Sequence, residues 1–181
     1  MNSLQKLPTD LTRSRGMAVI QTPDRALSAC SELIAHIILN GPLFVVAGSE
    51  WLPAYELTRK IRRQTIELKQ TLSRLYSARA STCYRLFDSL ANLPSQGEPI
   101  LILDFLHTFY DDDIPLSVRS FKLRQCCQEL KRLAFYRSVI VMIQQMPVEE
   151  HETFLSMIHP LTNHIFTLEP ELEIIQQPAL F

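Results

Sequence analysis

The chain has 181 residues, 46% of them hydrophobic, and a net charge of −1, the size and apolar content of one globular domain with a sizeable core. Its four glycines, Gly16, Gly41, Gly48 and Gly97, are too few for Gly-rich ligand loops. The four cysteines lack C-x-x-C spacing and read as reduced, packed thiols. No apolar run reaches the roughly 20 residues of a membrane span, so a soluble, cytoplasmic protein with no membrane partner is expected.

In chain order, residues 1–15 read as a flexible arm and residues 16–181 as one domain. A short strand is expected at 17–20. From Thr22-Pro-Asp-Arg a helical pattern runs through Ala26, Ala29, Leu33, Ile37 and Ile38, and Gly41-Pro42 ends it. Residues 43–47 form a continuous apolar run, as in a strand covered on both faces. A helix is expected after Pro53, a weakly alternating strand over 65–71, and a helix over 76–93. Residues 100–104 are the clearest buried strand. A helix over 116–135, a strand over 139–143, a helix over 148–158 and late strands at 164–168 and 172–175 complete the pattern. Apolar strands separated by helices imply a three-layer α/β/α unit with a mostly parallel sheet and right-handed crossovers.

The segment from Gly41 to Tyr55 is ordered like the strand, turn and helix of a phosphate-binding loop, G-x-x-x-x-G-K-[ST]. With Gly48 on the first glycine, the last three motif positions fall on Pro53, Ala54 and Tyr55. Proline lacks an N–H, alanine a charge, and tyrosine a small metal-binding hydroxyl, while Glu50 would oppose phosphate. Trp51 reads instead as an exposed aromatic anchor for a partner, with Tyr55 beside it, or as filler of the vacated pocket.

Charge is unevenly distributed. Residues 59–85 carry Arg59, Lys60, Arg62, Arg63, Lys69, Arg74, Arg79 and Arg85 against Glu67 alone, and residues 119–137 carry six more bases against Glu129. From Ser138 onward there is no Lys or Arg, but there are six glutamates. Such polarity suits head-to-tail self-association, a charged partner or weak, nonspecific nucleic-acid binding through Arg59, Lys60, Arg62, Arg63, Arg74 and Arg79. The alternative is solvated helix faces. Asp104, His107 and Asp111 to Asp113 follow a central strand, where open α/β sheets place ligands. The favoured reading of the three aspartates is that they cap the helix that begins near Pro115.

The stretch ILILDFLHTFYDDDIPLSVRSFKLRQCCQELKRLAFYRSVIVMIQQ, residues 100–145, resembles the Walker B strand, helix and next strand of the RecA/RadA recombinase superfamily. ARASTCYRLFDSL, residues 78–90, is similar to the helix before it. The resemblance implies a RecA-like core in which Asp104 matches the magnesium-bound Walker B aspartate and Gln144 or Gln145 the nucleotide-sensing glutamine. The lysine and hydroxyl of the phosphate loop are missing. No acid matches the catalytic glutamate, and Met146-Pro-Val-Glu-Glu-His-Glu replaces the second DNA-binding loop.

The expected molecule is therefore a non-catalytic RecA-like interaction or scaffold protein, accessory to DNA recombination or repair, that needs no cofactor and pairs with itself or another RecA-like protein. The alternative is an atypical nucleotide-binding protein or ATPase that uses Asp104, Gln144, Gln145 and Asp111 with magnesium and ATP. A third reading is a metal-dependent phosphoesterase.

Overall fold

The computed structural model describes residues 12, 14–23, 27–48, 52, 54–162 and 164–168. The expectations for Trp51, Pro53 and 172–175, and for all of the arm but residues 12, 14 and 15, lie outside them. Among the described residues six strands form one sheet: β1 (Gly16–Thr22), β2 (Leu43–Ala47), β3 (Leu75–Arg79), β4 (Ile100–Leu103), β5 (Ser138–Gln144) and β6 (His164–Thr167). Their spatial order is β3-β2-β4-β5-β1-β6, and every neighbouring pair is parallel.

Parallel neighbours cannot be joined by a hairpin, so each connection crosses a sheet face, normally with right-handed sense. The chain steps toward one edge through β1, β2 and β3, then reverses and steps back through β4, β5 and β6. That reversal sorts the helices into two layers. α1 (Leu27–Asn40), α2 (Ala54–Arg62) and the short α3 (Leu68–Leu72) pack on the face presenting Ala18, Ile20, Val45, Leu101 and Ile140. α4 (Cys83–Ala91), α5 (Leu116–Tyr136), α6 (Glu150–Ile158) and a 3₁₀ segment (Phe105–Phe109) pack on the face presenting Val19, Val46, Ile102, Val139 and Val141. The fold is thus three-layer α/β/α, as the alternation of apolar runs and helices implies.

Three local expectations are corrected. Residues 65–71 are not a strand: α3 forms there, because Leu68 and Leu72, four residues apart, both turn onto the α1 and α2 layer. The helix expected over 76–93 begins only at Cys83, after Thr82 accepts a hydrogen bond from the Arg85 N–H at 3.2 Å. Its first four residues belong to edge strand β3, paired from Leu75↔Leu43 to Arg79↔Ala47. The acids at 111–113 do not cap α5, whose N-cap is Pro115 without a side-chain cap. Asp111 Oδ1 instead accepts from the Asp113 N–H at 3.1 Å within a local turn.

Several bases hold the layers in place. Arg74 donates to the Ile38 and Leu39 carbonyls at 3.3 and 3.0 Å, closing the C-terminal end of α1. Buried Arg119 donates to the Phe109 carbonyl at 3.0 Å and reaches Glu150 at 3.5 Å, tying the 3₁₀ segment to α6. Arg137, also buried, donates to the carbonyls of Pro94, Ser95, Gln96 and Glu98 before β5 begins. Gly97 has φ +141, and a Cβ there would lie 3.1 Å from Arg137 Nη2, so the loop wraps the guanidinium only because this residue is glycine. Arg137→Met keeps the aliphatic contact but removes these bonds. We expect a loss of about 2–3 kcal/mol in urea denaturation, with Arg137→Lys recovering less than half because one ammonium cannot serve four carbonyls.

Candidate functional site at the carboxyl end of the sheet

Ligand crevices in open parallel sheets lie beyond the strand carboxyl ends, where neighbouring strands send their connections to opposite faces. Here β2 leaves toward the α2 layer while its neighbour β4 leaves toward the α5 layer, and β1 and β5 diverge in the same way. Asp104 terminates β4 at the first divergence. Gln144 pairs with Thr22 at the second, and the Gln145 N–H donates to the Thr22 carbonyl at 2.8 Å. The two glutamines therefore share the carboxyl end with Asp104 but stand on the β1 side of it, whereas Gly48 stands on the β2 side.

The Gly48 geometry decides what the first divergence can do. Its N–H donates to the Leu103 carbonyl at 2.8 Å, extending the β2–β4 ladder by one step. A Cβ on Gly48 would lie 2.5 Å from the Asp104 carbonyl oxygen and 3.2 Å from that of Leu103. The glycine thus serves close backbone packing. The Gly48 amide, bonded to Leu103, does not face a ligand, and residues 49–51 and 53 of the aligned segment lie outside the described residues. The last two positions of that alignment, Ala54 and Tyr55, start α2, and both side chains are exposed.

Asp104 adopts the left-handed conformation, φ 50 and ψ 44, and is the one non-glycine residue with positive φ among the described residues. Aspartate tolerates this region better than most residues. The turn leads into the 3₁₀ segment, where the His107 N–H donates to the Asp104 carbonyl at 3.0 Å. The half-buried carboxylate lies near α1: burial, and secondarily the Asp104 charge, push the Cys30 thiol up to about 12. Cys30 is therefore a packed thiol at neutral pH, with its S–H directed to Met142 Sδ at 3.6 Å.

Beyond the 3₁₀ segment, the Tyr110 hydroxyl lies 2.5 Å from His151 Nδ1 on α6, and the Tyr110 ring stacks on Phe154. Burial pushes His151 below its ordinary value against the opposing pull of Glu152, which favours the neutral imidazole beside the tyrosine hydroxyl. Burial, with the Glu150 and Glu152 charges, raises Tyr110. Sequence spacing did not disclose this pair, because residues 41 positions apart meet only through packing of the 3₁₀ segment on α6.

The basic residues separate into structural and outward-facing groups. Lys60 donates to the Ser28 carbonyl and hydroxyl, both at 3.0 Å, and approaches Glu32 at 3.5 Å, so it fastens α2 to α1. Arg74 is bound to α1, as above. Arg79 is exposed at the carboxyl end of β3. Tyr55, Thr58, Arg59, Arg62 and Arg63 line an open depression of about 590 Å³ along the outer face of α2, and Tyr55 is 78% exposed. Arg59 pairs with Glu56 at 2.6 Å on that face. Asp111 is exposed in its own turn, and among the described residues no three His, Cys, Asp or Glu side chains gather into a metal-holding group. No helix among them is long and apolar enough to cross a membrane.

Two predictions follow from this geometry. Gly48→Ala drives a methyl group into the Asp104 carbonyl and should cost about 1–3 kcal/mol, read as a lower urea midpoint. His151, with its folded-state pKa below the unfolded value of 6.5, contributes stability that is fully present above that value and lost as pH falls below it, because the unfolded chain takes up the proton first. Denaturation between pH 7.5 and 5 should show this decline, and His151→Gln should flatten it. No protein-family model matches the sequence, and none of the curated proteins is recognisably similar to it.

Proposed function

We propose that the chain is a RecA-like core without phosphate-loop chemistry that works as an interaction or scaffold subunit, accessory to DNA recombination or repair, and associates with itself or another RecA-like protein. The observation that carries this reading is the bonded Gly48 amide. That amide is spent on β4, and α2 begins with Ala54 and Tyr55 where a lysine and a small hydroxyl are needed. The outer face of α2 supports the interaction role. An exposed tyrosine beside Arg59, Arg62 and Arg63 suits an acidic contact with an aromatic anchor, and the glutamates after Ser138 supply such acids in a second copy.

One observation favours the nucleotide-binding alternative: Asp104 holds a left-handed backbone at the end of a central strand, and such outliers gather at functional sites. Under that reading Asp104 and Gln144 would hold magnesium and the nucleotide. Thermal denaturation separates the two. A site holding MgATP at a hundredfold its Kd would gain about 2.7 kcal/mol, or roughly 5–10 °C in a chain of this size. We expect a shift of about 1 °C or less, unchanged by Asp104→Asn. A larger shift that Asp104→Asn removes would replace the scaffold reading. Light scattering provides the positive arm: self-association at low salt, weakened by Tyr55→Ala and by Arg62→Glu with Arg63→Glu.

A further inference from the structure

Ile66, in the turn between α2 and α3, is 100% exposed, more than any other large apolar side chain among the described residues. The turn holds it there. The Gln64 and Thr65 N–H groups both donate to the Ile61 carbonyl, at 2.9 and 3.0 Å, and the Glu67 N–H donates to Thr65 Oγ1 at 3.1 Å. On either side the chain is anchored: Ile61 is buried, and Leu68 and Leu72 pack against the same layer. Ile66 therefore projects from a bonded turn between two fixed helices.

Bases flank the projection on both sides. Arg62 ends α2, Arg63 follows it and Lys69 lies at the start of α3. All three are exposed, with no hydrogen-bond or ion-pair partner among the described residues. Tyr55, Arg59 and Arg62, at spacings of four and three, carry the surface along α2 for about 10 Å at 1.5 Å per residue. Between Leu57 and Phe87 the sequence holds one acid, Glu67. Lys60 and Arg74 in the same stretch turn inward to α1, so the outward charge is concentrated around Ile66.

We propose that the α2–α3 turn is a peripheral contact for an anionic membrane surface, with Ile66 entering the boundary of headgroups and acyl chains and Arg62, Arg63 and Lys69 among the phosphates. The charges are complementary, and each base near such a leaflet strengthens binding about fivefold. Long basic side chains keep their heads in water while an apolar neighbour inserts, and an exposed tyrosine such as Tyr55 suits the headgroup level. A protein partner is less well matched. It would need a pocket for one isoleucine and would have to order a lysine and two glutamines around it, where lysine is depleted in protein interfaces; a fluid leaflet takes the same side chains without fixing them. One apolar tip and a few bases give reversible attachment, for which no spanning helix is needed. The inference requires neither a second copy nor a nucleotide, so it stands apart from the scaffold reading.

Co-sedimentation of the full chain with vesicles of phosphatidylcholine, alone or mixed in equal parts with phosphatidylglycerol, tests it. We expect binding to the mixed vesicles at low salt, little to phosphatidylcholine alone, and loss at high salt as the charges are screened. Arg62→Glu with Arg63→Glu should weaken binding by about twentyfold or more. Ile66→Ser should weaken it by about tenfold at every salt concentration, and Ile66→Leu should restore it. Because these side chains are exposed, the urea midpoints should match the wild type, which separates lost binding from lost folding. The proposal fails if the wild type binds neither vesicle, if it binds both alike, or if Ile66→Ser binds as the wild type does. Soluble polyglutamate that displaces the chain from the mixed vesicles, with Ile66→Ser silent, would assign the surface to an acidic protein instead.

Discussion

Burial of β4 and β5 on both faces is the constraint from which the rest of the architecture follows. Ile100–Leu103 and Ser138–Ile143 leave almost no surface to water, so helices must cover the sheet above and below. Each buried branched side chain contributes about 1.5–3 kcal/mol, and a missing helical layer would forfeit the half that faces it. Parallel pairing then forces each connection across a face, and the single reversal of direction after β3 assigns three helices to each side. The divergences at the carboxyl ends of β2 and β4, and of β1 and β5, are consequences of that reversal.

Whether a divergence becomes a ligand site depends on how its backbone groups are used. In nucleotide-binding versions of such folds, amides at the strand end stay available for phosphate. Here the Gly48 amide continues the ladder to Leu103, and the missing side chain lets the β2 turn press on Asp104. At Gly48 the first divergence is packed main chain on main chain, and exposed chemistry stands further out, at Tyr55 and the arginines of α2 and at the phenylalanines and cations of α5. A chain of nearly zero net charge can still present two basic, aromatic helix faces, because its acids are concentrated elsewhere in the sequence.

The parts of the fold that were legible in the sequence are those governed by burial. β2, β4 and β5 are continuous apolar runs, and the length of α5 follows from its period. β3 was not legible: Leu-Tyr-Ser-Ala-Arg is a half-exposed edge strand with one sheet neighbour, so it carries neither a continuous apolar run nor a clean alternation. Nor were the roles of individual bases. Lys60, Arg74 and Arg137 look like their exposed neighbours in sequence, yet each ends on main-chain carbonyls of another segment. Asp104 was legible as the end of a strand but its left-handed turn was not, and Gly48 carried two meanings, ligand loop or close packing, that only its distance to Asp104 separates.

The central claim is that the Gly48 amide belongs to the sheet and not to a ligand. Amide hydrogen exchange resolved at Gly48, with and without MgATP, measures this directly. The account predicts protection comparable to that of the β4 amides in the free protein and no change on adding nucleotide. Rapid exchange at Gly48 in the free protein, or protection that appears across residues 48–55 only with MgATP, would contradict it.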